Sequence, residues 1–342
     1  MRIYLALLLA AIIFAAYSIS LYSPFVFDDD HFVIGNPSVN FHAPISLHRN
    51  RALTLTTYRI NYLFGQENPV GYHLVNVLVH CLNAALVFFF LLPIIGELPA
   101  FLACGIFALH PLQSEAVTYI SGRPELLMTC FTLLALCCTR ALMHGWPRSP
   151  KAWTVAIAFS CLFAIMSKES GIVSIPLVLG YLWLNKRISQ TVAFFCMIGA
   201  GFVGILLIAN STLIDSGRPF YEHVLIQNVQ LWHYLTMLVY PASLSIDHDP
   251  SSIPFALQLI AVAATIVASS AMCRRRSGIV GLCGAWTAIC LAPRFMLNIP
   301  ETLAEHQMML PMVGLSALLA LGINHLFEGV YGERERTTPA RV

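Results

Sequence analysis

Charged residues are scarce in this chain: Lys, Arg, Asp and Glu together make up 11% of its 342 residues. Soluble globular proteins carry roughly a quarter of such residues, so the composition excludes that class. Hydrophobic residues instead make up 58% of the chain, which indicates an all-α protein that crosses a membrane several times. The formal net charge is +2, far from the strongly basic balance of nucleic-acid-binding proteins, so no nucleic acid is expected as a partner.

Paired cysteine motifs are also lacking. The ten cysteines include no pair at C-x-x-C spacing, and most of them lie inside apolar runs. A cysteine in such a run behaves as a small hydrophobic residue. The sequence therefore predicts neither a disulfide framework nor a zinc site.

Long apolar runs dominate what is present, and crossing a bilayer takes about 20 such residues. Three of the runs, at 98–110, 171–184 and 229–244, are short for a full span and are typical of tilted or re-entrant segments. The pattern predicts a bundle of ten or eleven transmembrane helices. The runs are 4–22, 72–92, 98–110, 125–143, 152–167, 171–184, 190–209, 229–244, 254–272, 277–293 and 307–327.

Lys and Arg residues determine the predicted orientation, because cytoplasmic loops carry an excess of them. With the N-terminus inside, the cluster from Arg274 to Arg276 and the arginines of the tail are cytoplasmic only if 229–244 does not cross fully. We therefore expect residues 1–327 to form the membrane domain, with both termini in the cytoplasm. Residues 328–342 are predicted to form a short, polar and disordered cytoplasmic tail.

Three adjacent acids, Asp28, Asp29 and Asp30, follow the first apolar run. Such a cluster costs too much in hydrocarbon to lie inside the bilayer, so we place it in water on the outer side. It is either a solvated helix end or part of an active site. The first outer loop, 24–71, also has an amphipathic pattern over 51–64, which predicts a helix along the outer membrane surface.

Other polar residues fall on the same outer side, and each has a structural explanation beside a functional one. Glu115 and Arg123 either pair with each other, or Arg123 faces an anionic substrate, because its planar guanidinium donates two hydrogen bonds to a phosphate. Lys168 and Glu169 form either a local ion pair at a hairpin tip or a phosphate-binding lysine held by the neighbouring acid.

Polar residues also recur within the second apolar run, where His73, Asn76, His80 and Asn83 share one helical face. Hydrogen bonding between helices explains His80 and Asn83, because polar groups in hydrocarbon need partners. His73 lies nearer the outer surface and is more open to a role in a site.

Three more polar residues lie beside apolar runs on the outer side. His110 ends the third run, and Glu305 and His306 precede the last one. An acid at a helix start also satisfies free backbone N–H groups, so helix capping is an alternative role for Glu305.

Five strings of the sequence, in this order, resemble one family over residues 25–314. The family is that of the transmembrane O-mannosyltransferases that carry tetratricopeptide repeats, together with their bacterial relatives, in the GT-C superfamily of multi-span glycosyltransferases. The strings are Phe25-Val-Phe-Asp28-Asp29, Tyr72-His73-Leu-Val-Asn76, His110-Pro111 with Ser121-Gly122-Arg123, Lys168-Glu169-x-Gly171, and Ala304-Glu305-His306.

The resemblance implies a GT-C-type bundle, a polyprenyl-phosphate sugar as donor, a Ser or Thr hydroxyl of a protein as acceptor, and Asp28 as the catalytic base. A carboxylate suits this role because it can take the hydroxyl proton as the oxygen attacks the anomeric carbon. The lipid phosphate that leaves needs positive charge more than it needs a proton. A direct displacement of this kind inverts the anomeric centre.

The sequence departs from the family pattern at two points. The 342 residues contain no tetratricopeptide repeats, so the usual additional binding module is not expected. In the string before the last run, Gln307 and Met309 stand about where the family has an Arg and a Tyr. Phosphate binding would then rest more on Arg123 or Lys168.

Asp28 and Asp29 are therefore the predicted catalytic residues, with Asp29 orienting Asp28 or binding the acceptor. No cofactor is required, although Asp28 to Asp30 could hold a divalent cation, because hard cations favour carboxylate oxygens. The residues expected to bind the substrate and its phosphate are Arg123, Lys168, Glu115, Glu169, His73, His110, Glu305 and His306.

Two other functions stay open at this point. The same fold could glycosylate a lipid or an envelope polysaccharide, or the chain could be a flippase for a lipid-linked sugar. A transporter of that kind is typically built from repeated halves, and no internal repeat is evident in the sequence. An enzyme on the outer, periplasmic face of the inner membrane is therefore preferred.

Overall fold

The protein is built from helices joined by short turns. The computed structural model describes residues 2–45, 51–145, 149–189, 191, 217–242, 244–245, 254–274, 278–297, 301 and 303–337, and across these residues it contains no strand. The predicted all-α class is confirmed. The α-helices are α1 (Arg2–Tyr17), α2 (Ala52–Gly65), α3 (Pro69–Ile95), α4 (Glu97–Leu109), α5 (Ser114–Thr118), α6 (Arg123–Met143), α7 (Pro150–Ser167), α8 (Ser174–Leu184), α9 (Phe220–Val239), α10 (Phe255–Arg274), α11 (Gly278–Met296) and α12 (Pro311–Thr337).

Five segments of the described chain are long and apolar enough to cross a bilayer, and they correspond to α1, α3, α6, α7 and α11. A further pair, α4 with residues 111–118, is bent by 55° and passes the same test as one broken span. The protein is therefore a multi-pass membrane protein. The predicted count of ten or eleven crossings stays a prediction, because the run at 190–209 lies almost wholly outside the described residues.

Helix α3 starts where its sequence predicts and forms the centre of the bundle. The Asn68 side chain accepts a hydrogen bond from the Val70 N–H, and Pro69 occupies the first turn, where no N–H is needed. The helix runs for 27 residues, which is about 40 Å and enough to cross the hydrocarbon core. It packs against α1, α4 and α6.

The polar face of α3 hydrogen-bonds to neighbouring helices. His80 Nε2 lies 2.9 Å from the Ala108 carbonyl oxygen, and Asn83 donates to the Leu126 carbonyl oxygen over 3.0 Å. Asn76 donates in the same way to the carbonyl oxygen of Tyr119 over 3.1 Å. These contacts match the explanation of His80 and Asn83 as interhelical hydrogen-bonding residues.

Two element boundaries differ from the sequence prediction. Helix α9 begins at Phe220, within the segment 210–228 that was predicted to be an outer loop. Its first turns carry polar residues that are buried against α11, and His223 Nε2 lies 2.9 Å from the Arg294 carbonyl oxygen. Because these first turns are polar, they do not form an apolar run, and the sequence pattern does not predict them as part of the helix. Helix α12 likewise continues to Thr337 into the predicted tail, because Glu and Arg are good helix formers.

Helix α2 matches the predicted amphipathic helix of the first loop to within one residue at each end. Its inner face is anchored by side chains, because the Thr54 hydroxyl donates to the Ser167 carbonyl oxygen and the Tyr58 hydroxyl to that of Ile120, each over 2.8 Å. Its other face exposes Leu63 and Phe64 by 63% and 89%. An anchored helix with an apolar exposed face is typical of one that lies at a membrane surface.

Candidate active site

A cavity of about 710 Å³ lies beneath the first loop. Its walls come from described residues of that loop, the start of α2, residues 115–128 and the turn between α7 and α8. The end of α11, the start of α12 and described residues between these two helices complete the walls. The fold thus brings together parts of the chain that are far apart in sequence. The predicted site residues that line it are Asp28, Glu115, Lys168, Glu169 and His306. Those that do not line it are Asp29, His73, His110, Arg123 and Glu305.

Asp28 presents its side chain to the cavity and is exposed. Its backbone N–H donates to the Tyr119 hydroxyl over 3.0 Å, which ties the loop to the segment before α6. The preceding residue, Phe27, has a φ of +48°, a left-handed conformation that a bulky residue rarely adopts. Such strain costs of order 1–3 kcal/mol and tends to occur at functional sites. The carboxylate of Asp28 makes no hydrogen bond or ion pair within the described residues.

Asp29 points the other way and is fully buried. One carboxylate oxygen accepts from the Ser121 N–H and hydroxyl at 2.8 and 2.6 Å, and the other accepts from the Val26 N–H at 3.1 Å. Burial raises the pKa of this carboxyl, and these hydrogen bonds oppose that rise. Asp29 therefore fastens the strained loop to the start of α6. This geometry fits the predicted positioning of Asp28 better than contact with an acceptor.

Lys168 and Glu169 lie at the tip between α7 and α8, but each pairs with a distant residue rather than with its neighbour. Lys168 Nζ lies 2.5 Å from Glu125 Oε1. Arg51 donates through Nη2 and Nε to the two oxygens of Glu169, at 2.9 and 3.3 Å. Burial alone would raise the pKa of Glu169, but the Arg51 charge and its hydrogen bonds outweigh burial and lower that pKa to about 2. Both acids are therefore held as counter-ions in the cavity wall.

Gly171 allows this tip to pack closely on α7. A Cβ atom there would lie 2.2 Å from the Ala164 carbonyl oxygen and 2.7 Å from the Ile165 nitrogen, both backbone atoms. We expect Gly171→Ala to lower the free energy of unfolding by about 1–3 kcal/mol, because α7 and the tip must move apart. Thermal unfolding in detergent measures this loss. Gly180→Ala on α8 is the matched control, since a Cβ there meets nothing within 4 Å; equal effects of both changes would contradict the explanation.

Glu115 and His306 form a second feature of the cavity. His306 Nδ1 lies 2.6 Å from Glu115 Oε1, and the His306 backbone N–H donates to Oε2 over 2.7 Å. Glu115 thus pairs with His306 and not with Arg123. The neighbouring Glu305 is buried, and it accepts a hydrogen bond from the Ser245 N–H over 2.7 Å.

Arg123 is fully buried outside the cavity and is surrounded by neutral acceptors. Nε donates to Asn76 Oδ1 at 2.8 Å, Nη1 to Asn61 Oδ1 at 2.7 Å and Nη2 to the Tyr72 carbonyl oxygen at 2.9 Å. Its guanidinium carbon lies 4.5 Å from the centre of the Tyr58 ring, and Tyr58 itself lines the cavity. Arg123 therefore supports the cavity wall, and the structure does not place it where an anion in the cavity could bind it.

The two remaining predicted histidines hold backbone segments. His73 Nε2 lies 3.1 Å from the Ser23 carbonyl oxygen, at the start of the first loop. His110 Nε2 lies 3.0 Å from the Leu238 carbonyl oxygen, and its Nδ1 accepts from the Leu112 N–H over 3.2 Å. Neither histidine lines the cavity.

The three adjacent acids Asp28 to Asp30 do not converge on one point. Asp29 is buried with both oxygens occupied, whereas Asp28 and Asp30 are exposed, and of these two only Asp28 lines the cavity. Within the described chain, no group of three or more His, Cys, Asp and Glu side chains is placed to hold a metal ion.

Among the cavity residues that sequence reasoning missed are two arginines, Arg51 and Arg294. Arg51 precedes α2 and was included in the surface helix, so its pairing with Glu169 was hidden by a separation of 118 residues. Arg294 follows Pro293 at the end of an apolar run. An ionisable residue at that depth is a signal for a functional site, and this signal was available in the sequence.

The chain is similar in sequence to known protein O-mannosyltransferases. A family model described as dolichyl-phosphate-mannose-protein mannosyltransferase matches residues 56–213. A protein O-mannosyl-transferase of Caenorhabditis elegans is 30% identical over 258 residues, which cover 66% of this chain and 36% of that protein. The predicted resemblance to the GT-C glycosyltransferases is confirmed. The family match contains Glu115, Lys168 and Glu169, whereas Asp28 lies before it and His306 after it.

Two further relatives show how much is shared. The protein O-mannosyl-transferase Tmtc1 of Drosophila melanogaster is 32% identical over 186 residues, covering 49% of this chain and 21% of that protein. The mouse protein O-mannosyl-transferase TMTC4 is 25% identical and covers 88% of this chain and 53% of the relative. The chain thus spans only part of the length of these GT-C relatives. No solved structure matches it.

Proposed function

We propose that the chain transfers a sugar from a polyprenyl-phosphate donor to a Ser or Thr hydroxyl of a protein, with Asp28 as the base. The observation that carries this proposal is the position of Asp28 on a strained turn that faces a cavity of about 710 Å³, with a carboxylate that has no partner among the described residues. The names of the relatives favour mannose as the sugar and a protein as the acceptor.

The proposed reaction is a single displacement. The acceptor oxygen forms a bond to the anomeric carbon while the bond from that carbon to the phosphate oxygen breaks. The hydroxyl proton moves to Asp28, and the lipid phosphate leaves as an anion, so the anomeric configuration inverts. General-base catalysis of this kind contributes about 10²- to 10⁴-fold.

The charges around the cavity support this division of roles. Lys168 and His306 line the cavity, and the Lys168 ammonium supplies positive charge for a phosphate, while Glu125 and Glu115 hold the two side chains in place. Asp29 holds the loop that carries Asp28. Arg123 acts on the wall through Tyr58, so we do not assign it to the phosphate.

The proposed setting is the outer, periplasmic face of the plasma membrane. The donor tail is insoluble in water, so it would lie between helices while its headgroup enters the cavity. The proposed mechanism needs no metal, because a carboxylate takes the proton and cationic side chains of the cavity stabilise the negative charge that the phosphate gains as it leaves.

The test is transfer by the purified chain in detergent. Polyprenyl-phosphate mannose and polyprenyl-phosphate glucose serve as donors, with free nucleotide sugars as controls, and Ser- or Thr-containing peptides serve as acceptors beside the same peptides with Ala. We expect transfer only from a lipid-linked donor, only to a hydroxyl-bearing peptide, with inverted configuration and without loss in EDTA.

Other outcomes would redirect the proposal. Transfer to lipid or polysaccharide but to no peptide would contradict the protein acceptor. Movement of the lipid-linked sugar across a vesicle membrane without any transfer would contradict an enzyme and favour a flippase. Loss of transfer in EDTA that Mg²⁺ restores would contradict the metal-free mechanism.

A further inference from the structure

Apart from His31, four Lys, Arg and His side chains of the described residues line the cavity, and three of them already have a close acidic partner. Arg51 lies 2.9 Å from Glu169, Lys168 lies 2.5 Å from Glu125, and His306 lies 2.6 Å from Glu115. An anion that binds one of these must compete with a carboxylate in direct contact. The fourth is Arg294, and its Nη1 comes no closer than 4.0 Å to the Glu301 carboxylate.

Arg294 is buried in the last turn of α11 and is held in place without using all its donors. Nε donates to Gln227 Oε1 over 3.3 Å, and Nη2 donates to the Glu301 carbonyl oxygen over 2.6 Å. Its own carbonyl oxygen is held by His223 of α9. Nη1 is buried and makes no hydrogen bond to any residue that the structure describes. A buried donor of this kind is rare and costly, so it calls for an explanation.

We propose that Arg294 binds the phosphate of the lipid-linked donor through Nη1. The assignment rests on the proposed function and adds to it the residue that receives the leaving group. A guanidinium is suited to this role because its donors are fixed in a fork that matches phosphate oxygens. Two neighbours fix the orientation of the fork, so little entropy is lost when the anion binds.

Glu301 has a distinct part in this arrangement. Its side chain is 43% exposed and its carboxylate lies at the outer limit of an ion pair with Arg294. It also lines the cavity, so a phosphate and this carboxylate would approach the same guanidinium. Glu301 therefore competes with the donor, and its removal should strengthen binding of the donor. If Arg294 had only a structural role, removing the Glu301 carboxylate would not strengthen donor binding.

The experiment measures binding and transfer on the purified full chain. Undecaprenyl phosphate in detergent is the binding probe, and inorganic phosphate is tested beside it. We expect Arg294→Gln to weaken binding of undecaprenyl phosphate and to raise the donor KM by about 10- to 100-fold, the loss of one hydrogen bond to a charged group. Arg294→Lys should restore part of the affinity. Glu301→Gln should tighten binding and lower the donor KM.

Controls separate this inference from a folding defect and from the proposed function. Arg187→Gln changes an exposed arginine that does not line the cavity and should leave binding unchanged. If Arg294→Gln fails to fold, the test rests on Glu301→Gln. Unchanged or weaker binding of undecaprenyl phosphate by that variant would overturn the inference. If transfer is found and is insensitive to both changes, the inference fails while the proposed function stands.

The binding measurement tests the inference even if no donor supports sugar transfer. Binding of undecaprenyl phosphate that depends on Arg294 would then support the phosphate site although the proposed function had failed. A loss of inorganic phosphate binding alone, with the lipid phosphate bound as before, would assign Arg294 to a free anion and overturn the donor assignment.

Discussion

Asp28→Asn is expected to lower the rate of sugar transfer about 10²- to 10⁴-fold, the usual contribution of a general base. An amide has nearly the shape of a carboxylate but cannot take the acceptor's proton. The Asp28 carboxylate is exposed and makes no hydrogen bond or ion pair in the described chain, so the change removes no contact that stabilises the fold. The loss should therefore appear in kcat, while thermal unfolding stays as in the wild type.

The neighbouring acids provide matched controls for this prediction. Asp30→Asn removes the same charge two positions along the same loop, but Asp30 does not line the cavity, so transfer should change little. Asp29→Asn should instead lower stability, because its amide cannot accept all the hydrogen bonds from Val26 and Ser121. Full activity in Asp28→Asn, or an equal loss in Asp30→Asn, would remove Asp28 from the mechanism.

The described helices follow from the sequence wherever apolar residues dominate them. Long apolar runs with clear start signals, such as Asn68-Pro69 before α3, predict helices that the structure contains. Helix α9 was placed too late because its first turns bury polar side chains against α11, and an apolar search cannot recognise a polar surface that becomes buried by packing.

In the candidate site, too, the sequence does not show which residues become partners when the helices pack. The three adjacent acids predict a candidate site in water around Asp28, because adjacent charges cannot lie in hydrocarbon. The sequence cannot show which acid faces inward, since that depends on Ser121, 92 residues away. Likewise Lys168 pairs with Glu125 and Arg51 with Glu169 across 43 and 118 residues. Partners at such distances are determined by helix packing and not by local pattern.

Arg123→Met is expected to lower the free energy of unfolding by about 4 kcal/mol or more. Methionine fills similar space but donates no hydrogen bond. The buried Asn76 amide oxygen would then lose the donor that now lies 2.8 Å away. The Asn61 amide oxygen and the Tyr72 carbonyl oxygen would each lose an Arg123 hydrogen bond, of 2.7 and 2.9 Å. The contact with the Tyr58 ring would lose its cationic component. Titration with SDS in mixed micelles measures the loss.

Two further variants distinguish this supporting role from phosphate binding. Arg123→Lys keeps the positive charge but cannot donate to Asn61, Asn76 and Tyr72 with one planar group, so it should also be unstable. Arg187→Met, at an exposed site, should stay within about 0.5 kcal/mol of the wild type. A stable Arg123→Met protein with a raised donor KM would contradict the supporting role and return Arg123 to the phosphate. Activity that falls only in proportion to the folded fraction would confirm that Arg123 acts through Tyr58 and the cavity wall.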